Sequence, residues 1–250
     1  MPTFHSDGIE LSFRDEGEGE PILLIHGFAS SLDVNWVGPG WFDALKRDGR
    51  RVIAIDNRGH GNSEKLYDQA FYGSDLMAAD AFHLLDHLGV ERADVMGYSM
   101  GARVTALMAI TRPERVRSAV LGGMGEGLLR GAPNALAIAE GLVAPSVDDV
   151  PNPMAKMFRR FAEATGADRK ALSACMRMQR TAIDEAMLRD IDVPVLVAVG
   201  TEDEVSGDMD ALVALIPGAK GLPIPRRDHN RAVGDKVYKE GVLSFLHSRP

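Results

Sequence analysis

Five short apolar runs recur along the chain and constrain its fold more than any other feature. They lie at residues 21–25, 51–55, 93–96, 116–121 and 193–199, and each ends near a glycine or an aspartate. Continuous apolar runs of this length are typical of strands buried on both faces, as in a parallel sheet. Helical patterns separate the runs, and the clearest begins near Ser74, a candidate N-cap. The alternation predicts an α/β fold with a mostly parallel, doubly wound sheet.

The stretch between the fourth and fifth runs breaks this rhythm. It has no convincing strand, and its helical patterns are interrupted by Pro133, Pro145, Pro151 and Pro153. We therefore predict one domain whose core comprises residues 1–123 and 191–250, with residues 124–190 as a small helical cap insertion. Flexible thioether side chains can line an adaptable apolar pocket. The insertion carries Met154, Met157, Met176, Met178 and Met187, for which simple packing against the core is the alternative.

Composition and charge exclude several classes of function. The formal net charge is −8 over 250 residues, with no cluster of Lys and Arg that could neutralise phosphates, so nucleic acid is not expected as a partner. The single cysteine, Cys175, cannot form an intramolecular disulfide, and its helical surroundings predict a buried, inert thiol.

Residues 1–13 lack the pattern of a signal peptide, and no stretch is long enough for a membrane span. A soluble cytoplasmic protein with no membrane partner is the expectation, and the oligomeric state stays open.

The motif G-x-S-x-G occupies residues 97–101, directly after the third apolar run and directly before a helical pattern. Such a tight turn between strand and helix leaves no room for side chains beside the serine and raises its oxygen above the sheet edge. The N-terminus of the following helix then directs free N–H groups at developing negative charge. This context predicts that Ser99 is a nucleophile.

A serine needs a general base, and the base needs an orienting acid. In this architecture the chain order is Ser, then the acid in a loop after a late strand, then His. Asp203 follows the run at residues 193–199, and His229 follows the next short apolar segment at 221–224. We predict His229 as the base and Asp203 as the acid, with Glu126, in the loop after the fourth run, as the alternative acid.

Acyl transfer also requires donors for the oxyanion. These are expected from the backbone N–H after the nucleophile, at Met100, and from the loop after an early strand, at Phe28. Gly27 permits close approach of the backbone there. Two aromatic residues, Trp36 and Tyr98, are predicted to line the substrate pocket.

Together these motifs resemble the α/β-hydrolase superfamily across nearly the whole chain, with serine esterases and enol-lactone hydrolases as the most similar groups. The resemblance rests on residues 26–28, 56–63, 97–101 and 200–203, and on His229. It implies an α/β-hydrolase fold and a two-step reaction through an acyl-enzyme, with no metal or organic cofactor. The segment at residues 56–63 resembles a loop of the family that is mainly structural.

The expected function is hydrolysis of a carboxylic ester or lactone through a Ser-His-Asp triad, as in a serine carboxylesterase or lactonase. The small-molecule ester or lactone would be the main partner. Carbon–carbon bond hydrolases and cofactor-free perhydrolases resemble this chain in the same motifs, and so do ligand-binding members of the superfamily that have no activity. The sequence leaves these alternatives open.

Overall fold

The computed structural model of the chain describes residues 1–132 and 134–249. A sheet of eight strands forms its centre. The strands are β1 (Thr3–Ser6), β2 (Ile9–Glu16), β3 (Glu20–Ile25), β4 (Arg50–Ile55), β5 (Ala93–Tyr98), β6 (Val116–Gly122), β7 (Val195–Gly200) and β8 (Lys220–Ile224). Their order is β1-β2-β4-β3-β5-β6-β7-β8. The pairs β1–β2 and β2–β4 are antiparallel and every other pair is parallel, which confirms the predicted mostly parallel sheet.

Helices cover both faces of this sheet. They are α1 (Trp41–Arg47), α2 (Ser74–His87), α3 (Met100–Thr111), α4 (Ala135–Val143), α5 (Pro153–Ala164), α6 (Arg169–Met176), α7 (Glu185–Arg189), α8 (Met209–Leu215), α9 (His229–Ala232) and α10 (Lys236–Ser248). The prediction of Ser74 as an N-cap is wrong. Gly73 occupies that position, and Ser74 is already the first helical residue, fully buried and without side-chain capping.

The five apolar runs correspond to β3, β4, β5, β6 and β7, the central parallel strands. Neighbouring side chains on a strand point to opposite faces, so a strand buried on both faces must be apolar throughout. In β3, Leu23 and Ile25 join the apolar cluster that contains the buried faces of α2 and α3. Ile22 and Leu24 join the opposite cluster, with residues of α1 and α10. Both layers of an α/β-hydrolase fold are therefore present.

Helices α4 to α7, residues 135–189, connect β6 to β7, and we call them the helical segment. Between β6 and β7 the described residues contain no strand, as the sequence predicts; Pro133 lies outside the described residues. Buried Arg159 of α5 donates hydrogen bonds to carbonyl oxygens at the end of α4, at 2.9 Å from Gly141 O and 2.7 Å from Ala144 O. Thr165 Oγ1 donates to Ala29 O at 3.0 Å, which connects the segment to the loop after β3. The division of the chain into core and insertion stays a prediction.

None of the helices in the described ranges combines the length and the apolar character that a membrane span requires. Across the same ranges, no group of three or more His, Cys, Asp or Glu side chains is placed to hold a metal ion. Cys175 is fully buried in α6, and burial raises the pKa of its thiol to about 12, as expected for an inert cysteine.

Candidate active site

The turn between β5 and α3 holds Ser99 in a strained conformation, with φ 55° and ψ −112°. Positive φ is uncommon for a residue other than glycine and persists only where the surroundings enforce it. The two glycines of the motif allow that enforcement. A Cβ on Gly97 would lie 2.1 Å from Gly101 O, and a Cβ on Gly101 would lie 2.0 Å from Ile25 O. The motif therefore marks a close packing of β5, α3 and the end of β3.

Ser99, His229 and Asp203 form a continuous chain of hydrogen bonds. His229 Nε2 lies 3.0 Å from Ser99 Oγ, and His229 Nδ1 lies 2.8 Å from Asp203 Oδ2. The residues come from the ends of β5, β7 and β8, and the carboxyl ends of parallel strands meet at one edge of the sheet. Because the carboxylate only accepts, Nδ1 carries the ring proton and Nε2 is free to accept the proton of Ser99.

The loop after β7 holds the Asp203 carboxylate in place. Its Oδ1 accepts hydrogen bonds from the amides of Val205 at 2.8 Å and Ser206 at 3.0 Å, and its Oδ2 accepts one from Ser206 Oγ at 2.6 Å. Burial raises the pKa of Asp203, but the hydrogen bond and charge of His229, with these further donors, lower it more, and the net pKa is below the usual value. The carboxylate is therefore ionised at neutral pH and can stabilise a protonated His229.

Glu126, the alternative acid, and Asp228, the neighbour of the histidine, have different hydrogen-bonding partners. Glu126 accepts a hydrogen bond from Arg130 at 2.5 Å, one helical turn along the chain. Asp228, next to the histidine, caps α9 by accepting from the amides of Asn230 and Arg231. Within the described residues, Asp203 alone among these places an oxygen within hydrogen-bonding distance of His229.

Two backbone amides beside Ser99 are available to an oxyanion. Met100 is the first residue of α3, where an N–H has no partner inside the helix. The Phe28 amide, in the loop after β3, has no acceptor among the described residues, whereas the preceding amide, Gly27 N, donates to Asn35 Oδ1 at 2.8 Å. A Cβ on Gly27 would lie 3.4 Å from Ser99 Cβ, so glycine allows this loop to approach the nucleophile.

The two aromatic residues predicted for the pocket have different positions. Tyr98 lines a cavity at Ser99, and its hydroxyl donates to His229 O at 2.6 Å. Trp36 does not line that cavity. Its side chain is fully buried and packs edge-on against Trp41, with ring centroids 6.2 Å apart. The prediction for Trp36 is wrong because its short π-helical turn, Asp33–Val37, directs the indole into the core and the neighbouring Asn35 towards the cavity.

Two cavities meet at Ser99 and Phe28. The first has a volume of about 480 Å³ and is also lined by His229 and Tyr98. The second has a volume of about 270 Å³ and is also lined by Met100. The helical segment and the adjacent turns complete both, with Met157, Phe158 and Phe161 in the first and Met154, Phe158, Met176 and Met178 in the second. Four of the five methionines predicted as possible pocket residues thus line a cavity, and Met187 lines neither.

Buried histidines stabilise the loops beneath this site. His26 Nδ1 donates to Gly27 O at 2.7 Å, and His26 Nε2 accepts from Asn57 N at 3.0 Å, so the ring is neutral. Burial lowers the pKa of His26 to about 4. Burial, with the neighbouring His26, lowers the pKa of His60 to about 3. The segment at residues 56–63 also helps to hold these loops in place, since its Arg58 forms a buried ion pair with Asp80 of α2 at 2.7 Å.

We expect these two histidines to make the protein less stable in mild acid. Both pKa values are lower in the folded chain than the 6.5 of a free histidine, so the unfolded chain binds more protons below pH 6.5. Their contribution to stability is complete above pH 6.5 and is lost as the pH falls towards 4, by up to about 1.4 kcal/mol per pH unit for each ring. Urea unfolding between pH 7.5 and 4.5 measures this slope. His60→Asn should reduce it and exposed His5→Asn should not, whereas an unfolding free energy independent of pH would contradict the expectation.

Known proteins resemble this chain in sequence and structure. The sequence model of a family described as alpha/beta hydrolase fold matches residues 20–181. A 2-hydroxymuconate semialdehyde hydrolase from Pseudomonas putida is 39% identical over 116 residues, which are 46% of this chain but only 40% of that relative. A non-heme haloperoxidase from Rhodococcus erythropolis is 28% identical, and the alignment covers 97% of this chain and 98% of that protein. The solved structure of a hydrolase from Pseudomonas aeruginosa PA01 has 25% identity and a TM-score of 0.82, with 99% of this chain and 98% of that chain covered.

The family match spans more than half of the chain and includes β3 to β6, the turn at Ser99 and most of the helical segment. The sheet order and the full-length structural similarity agree with it. The chain belongs to the alpha/beta hydrolase family.

Proposed function

We propose that this protein is a serine hydrolase that cleaves a carboxylic ester or lactone through an acyl-enzyme. The observation that carries the proposal is the chain of hydrogen bonds from Ser99 Oγ through His229 to Asp203, at 3.0 and 2.8 Å. A serine hydroxyl is a weak nucleophile at neutral pH, and an oriented neutral imidazole provides the base that it needs.

In the first half of the reaction, Ser99 Oγ attacks the acyl carbon and its proton passes to His229 Nε2. The resulting imidazolium lies against the ionised Asp203, which stabilises it without accepting the proton. The negative charge moves to the carbonyl oxygen, and the amides of Phe28 and Met100 are the proposed donors to it. Because those amides are fixed by the fold, they need little reorganisation as charge develops.

The first half ends when His229 gives its proton to the departing oxygen, the C–O bond breaks, and the acyl group remains on Ser99. In the second half, a water molecule takes the place of the leaving group. His229 removes a proton from that water, hydroxide adds to the acyl carbon, and Ser99 Oγ departs with the proton returned by His229. The products are a carboxylic acid and an alcohol, which are joined in one molecule when the substrate is a lactone.

Carbon–carbon bond hydrolysis is the second candidate. The relative named 2-hydroxymuconate semialdehyde hydrolase is 39% identical over the matched region, a higher identity than that of the full-length haloperoxidase match. The same triad could add a nucleophile to a keto carbon and then protonate a departing carbon atom. Perhydrolysis and ligand binding without turnover stay open as further alternatives, and the cytoplasmic location stays a prediction from the sequence.

Active-site labelling with a substrate panel tests the proposal. A fluorophosphonate probe should label Ser99 in wild type, in a peptide identified by mass spectrometry, and should still label Ser146→Ala, in which a half-buried loop serine that lines neither cavity is replaced. The panel should contain short p-nitrophenyl esters, lactones of several ring sizes, and vinylogous diketo acids. Turnover restricted to the diketo acids would favour the second candidate. A wild type that is neither labelled nor active on any panel member would contradict the serine hydrolase proposal.

A further inference from the structure

One buried and one partly buried cationic side chain line the second cavity. Arg103 lies one helical turn after Ser99 on α3, and only 6% of its surface is exposed. Arg180 follows α6 and is partly buried at the same cavity. Burial and the charge of Arg180 lower the pKa of Arg103 to about 10, so the two guanidinium groups repel each other. Both remain protonated at neutral pH.

Neither arginine has an anionic partner. Among residues 1–132 and 134–249, no carboxylate lies within 4.0 Å of either guanidinium group. Arg103 donates to two carbonyl oxygens, those of Leu128 and Thr181, while Arg180 contacts the thioether of Met176 at 3.2 Å. A thioether is a weak acceptor, so it compensates little of the cost of removing a cation from water.

The remaining charges at this cavity do not compensate for the pair. Arg130 is 70% exposed and already paired with Glu126. Glu204 also lines the cavity, but it is exposed and has no ion pair with Arg103 or Arg180. The buried part of the cavity thus combines two positive charges with an apolar wall formed by Ile138, Phe158 and the methionines. An anion at the end of a short apolar chain matches this combination, since guanidinium groups bind carboxylates through paired hydrogen bonds.

The position of His229 indicates which part of a substrate enters each cavity. His229 lines the first cavity and not the second, and in the proposed reaction it must protonate the leaving group. The leaving group therefore belongs in the first cavity. The acyl part then occupies the second, next to Met100 and within the region lined by the arginines.

We propose that Arg103 and Arg180 form a subsite for a carboxylate on the acyl part of the substrate, so that the preferred substrates are half-esters of short dicarboxylic acids or lactones that carry an acyl-side carboxylate. This inference rests on the proposed function for its assignment of the acyl part. The presence of a carboxylate subsite rests only on the cavity and its charges.

A pair of substrates that differ in one charge tests the preference. The p-nitrophenyl half-ester of adipic acid carries a terminal carboxylate, and its methyl ester is neutral and of similar length. Wild type should have the higher kcat/KM for the charged ester. In Arg180→Met, the ratio of kcat/KM for the charged ester to that for the neutral ester should fall by about 10- to 100-fold, the usual effect of losing a charge-assisted hydrogen bond. Because both kcat/KM values are measured on the same variant, the fraction of folded protein cancels from this ratio.

Two further variants make this test specific. Arg103→Met should lower the same ratio, because it removes the other half of the subsite. Arg177→Met should leave the ratio unchanged, since Arg177 is a nearby exposed arginine that does not line the second cavity. A ratio that is the same in wild type, Arg180→Met and Arg103→Met would overturn the proposal while leaving ester hydrolysis intact.

Calorimetry on Ser99→Ala tests the subsite without any turnover. Monomethyl adipate, which carries one carboxylate, should bind at least about 10-fold more tightly than dimethyl adipate, which carries none, and Arg180→Met in the same background should remove this difference. If no ester is hydrolysed but the binding difference depends on Arg180, the carboxylate subsite is supported and the proposed reaction fails. Equal binding of monomethyl adipate and dimethyl adipate would overturn the subsite.

Discussion

Replacing Ser99 with alanine is expected to lower kcat for any ester that wild type cleaves by about 10⁵- to 10⁶-fold, the usual loss when a triad nucleophile is removed. Such a loss is expected because, among the described residues, no other hydroxyl or thiol lies within hydrogen-bonding distance of His229 Nε2 and could replace Ser99. The fold should be unaffected, since alanine has the same steric restriction at φ 55° and Ser99 caps no amide of α3. Steady-state kinetics and thermal unfolding of the same samples measure both expectations.

A double replacement sharpens this result. His229→Ala should be as inactive as Ser99→Ala, and the variant carrying both changes should be no worse than either, because the two groups act as a unit. Losses that multiply would show that the groups act independently, in contradiction of the proposed base. Ser146→Ala, the variant of the loop serine that lines neither cavity, is the control and should keep wild-type activity.

Replacing Asp203 with asparagine is expected to lower kcat by about 10⁴-fold with little change in stability. Asparagine has nearly the same shape, and its carbonyl oxygen can still accept from the amides of Val205 and Ser206. Its amide group, however, would donate to His229 Nδ1 and move the ring proton to Nε2, where it blocks acceptance of the proton from Ser99. Kinetics at pH 7 to 9, with urea unfolding as the stability measurement, check the prediction.

Glu126→Gln is the matched control for this change, since Glu126 is the other carboxylate that the sequence allows as the acid. Its contact with Arg130 is at the protein surface, so kcat should stay at the wild-type level. An active Asp203→Asn together with an inactive Glu126→Gln would reverse the assignment of the acid.

Features with local causes could be predicted from the sequence. Strands buried on both faces produce continuous apolar runs, so β3 to β7 were recognisable with errors of one or two residues at their ends. The turn at Ser99 was recognisable because its glycines are required by atoms only a few residues away or on the adjacent strand. The order of Ser99, Asp203 and His229 along the chain follows from the fold, and the three groups lie together as expected.

Features that depend on packing between distant segments were missed. Trp36 and Asn35 are neighbours, and only the π-helical turn decides which one reaches the cavity. Ser206 donates to the Asp203 carboxylate, and the spacing of three residues in one loop was the available signal. Arg103 and Arg180 are 77 positions apart in the sequence and line the same cavity, one from α3 and the other from the loop after α6. No local pattern marks such a pair.

The position of the helical segment bears on how the substrate preference of this protein could change during evolution. It is one uninterrupted stretch of chain between β6 and β7, yet it supplies walls to both cavities and contains none of the three residues of the hydrogen-bond chain. Recombination within this one stretch of the gene would exchange much of the apolar wall of both cavities in one step and leave Ser99, Asp203 and His229 in place. The apolar part of the selectivity can thus change without mutations across the sheet, while Arg103, which lies on α3, would be kept.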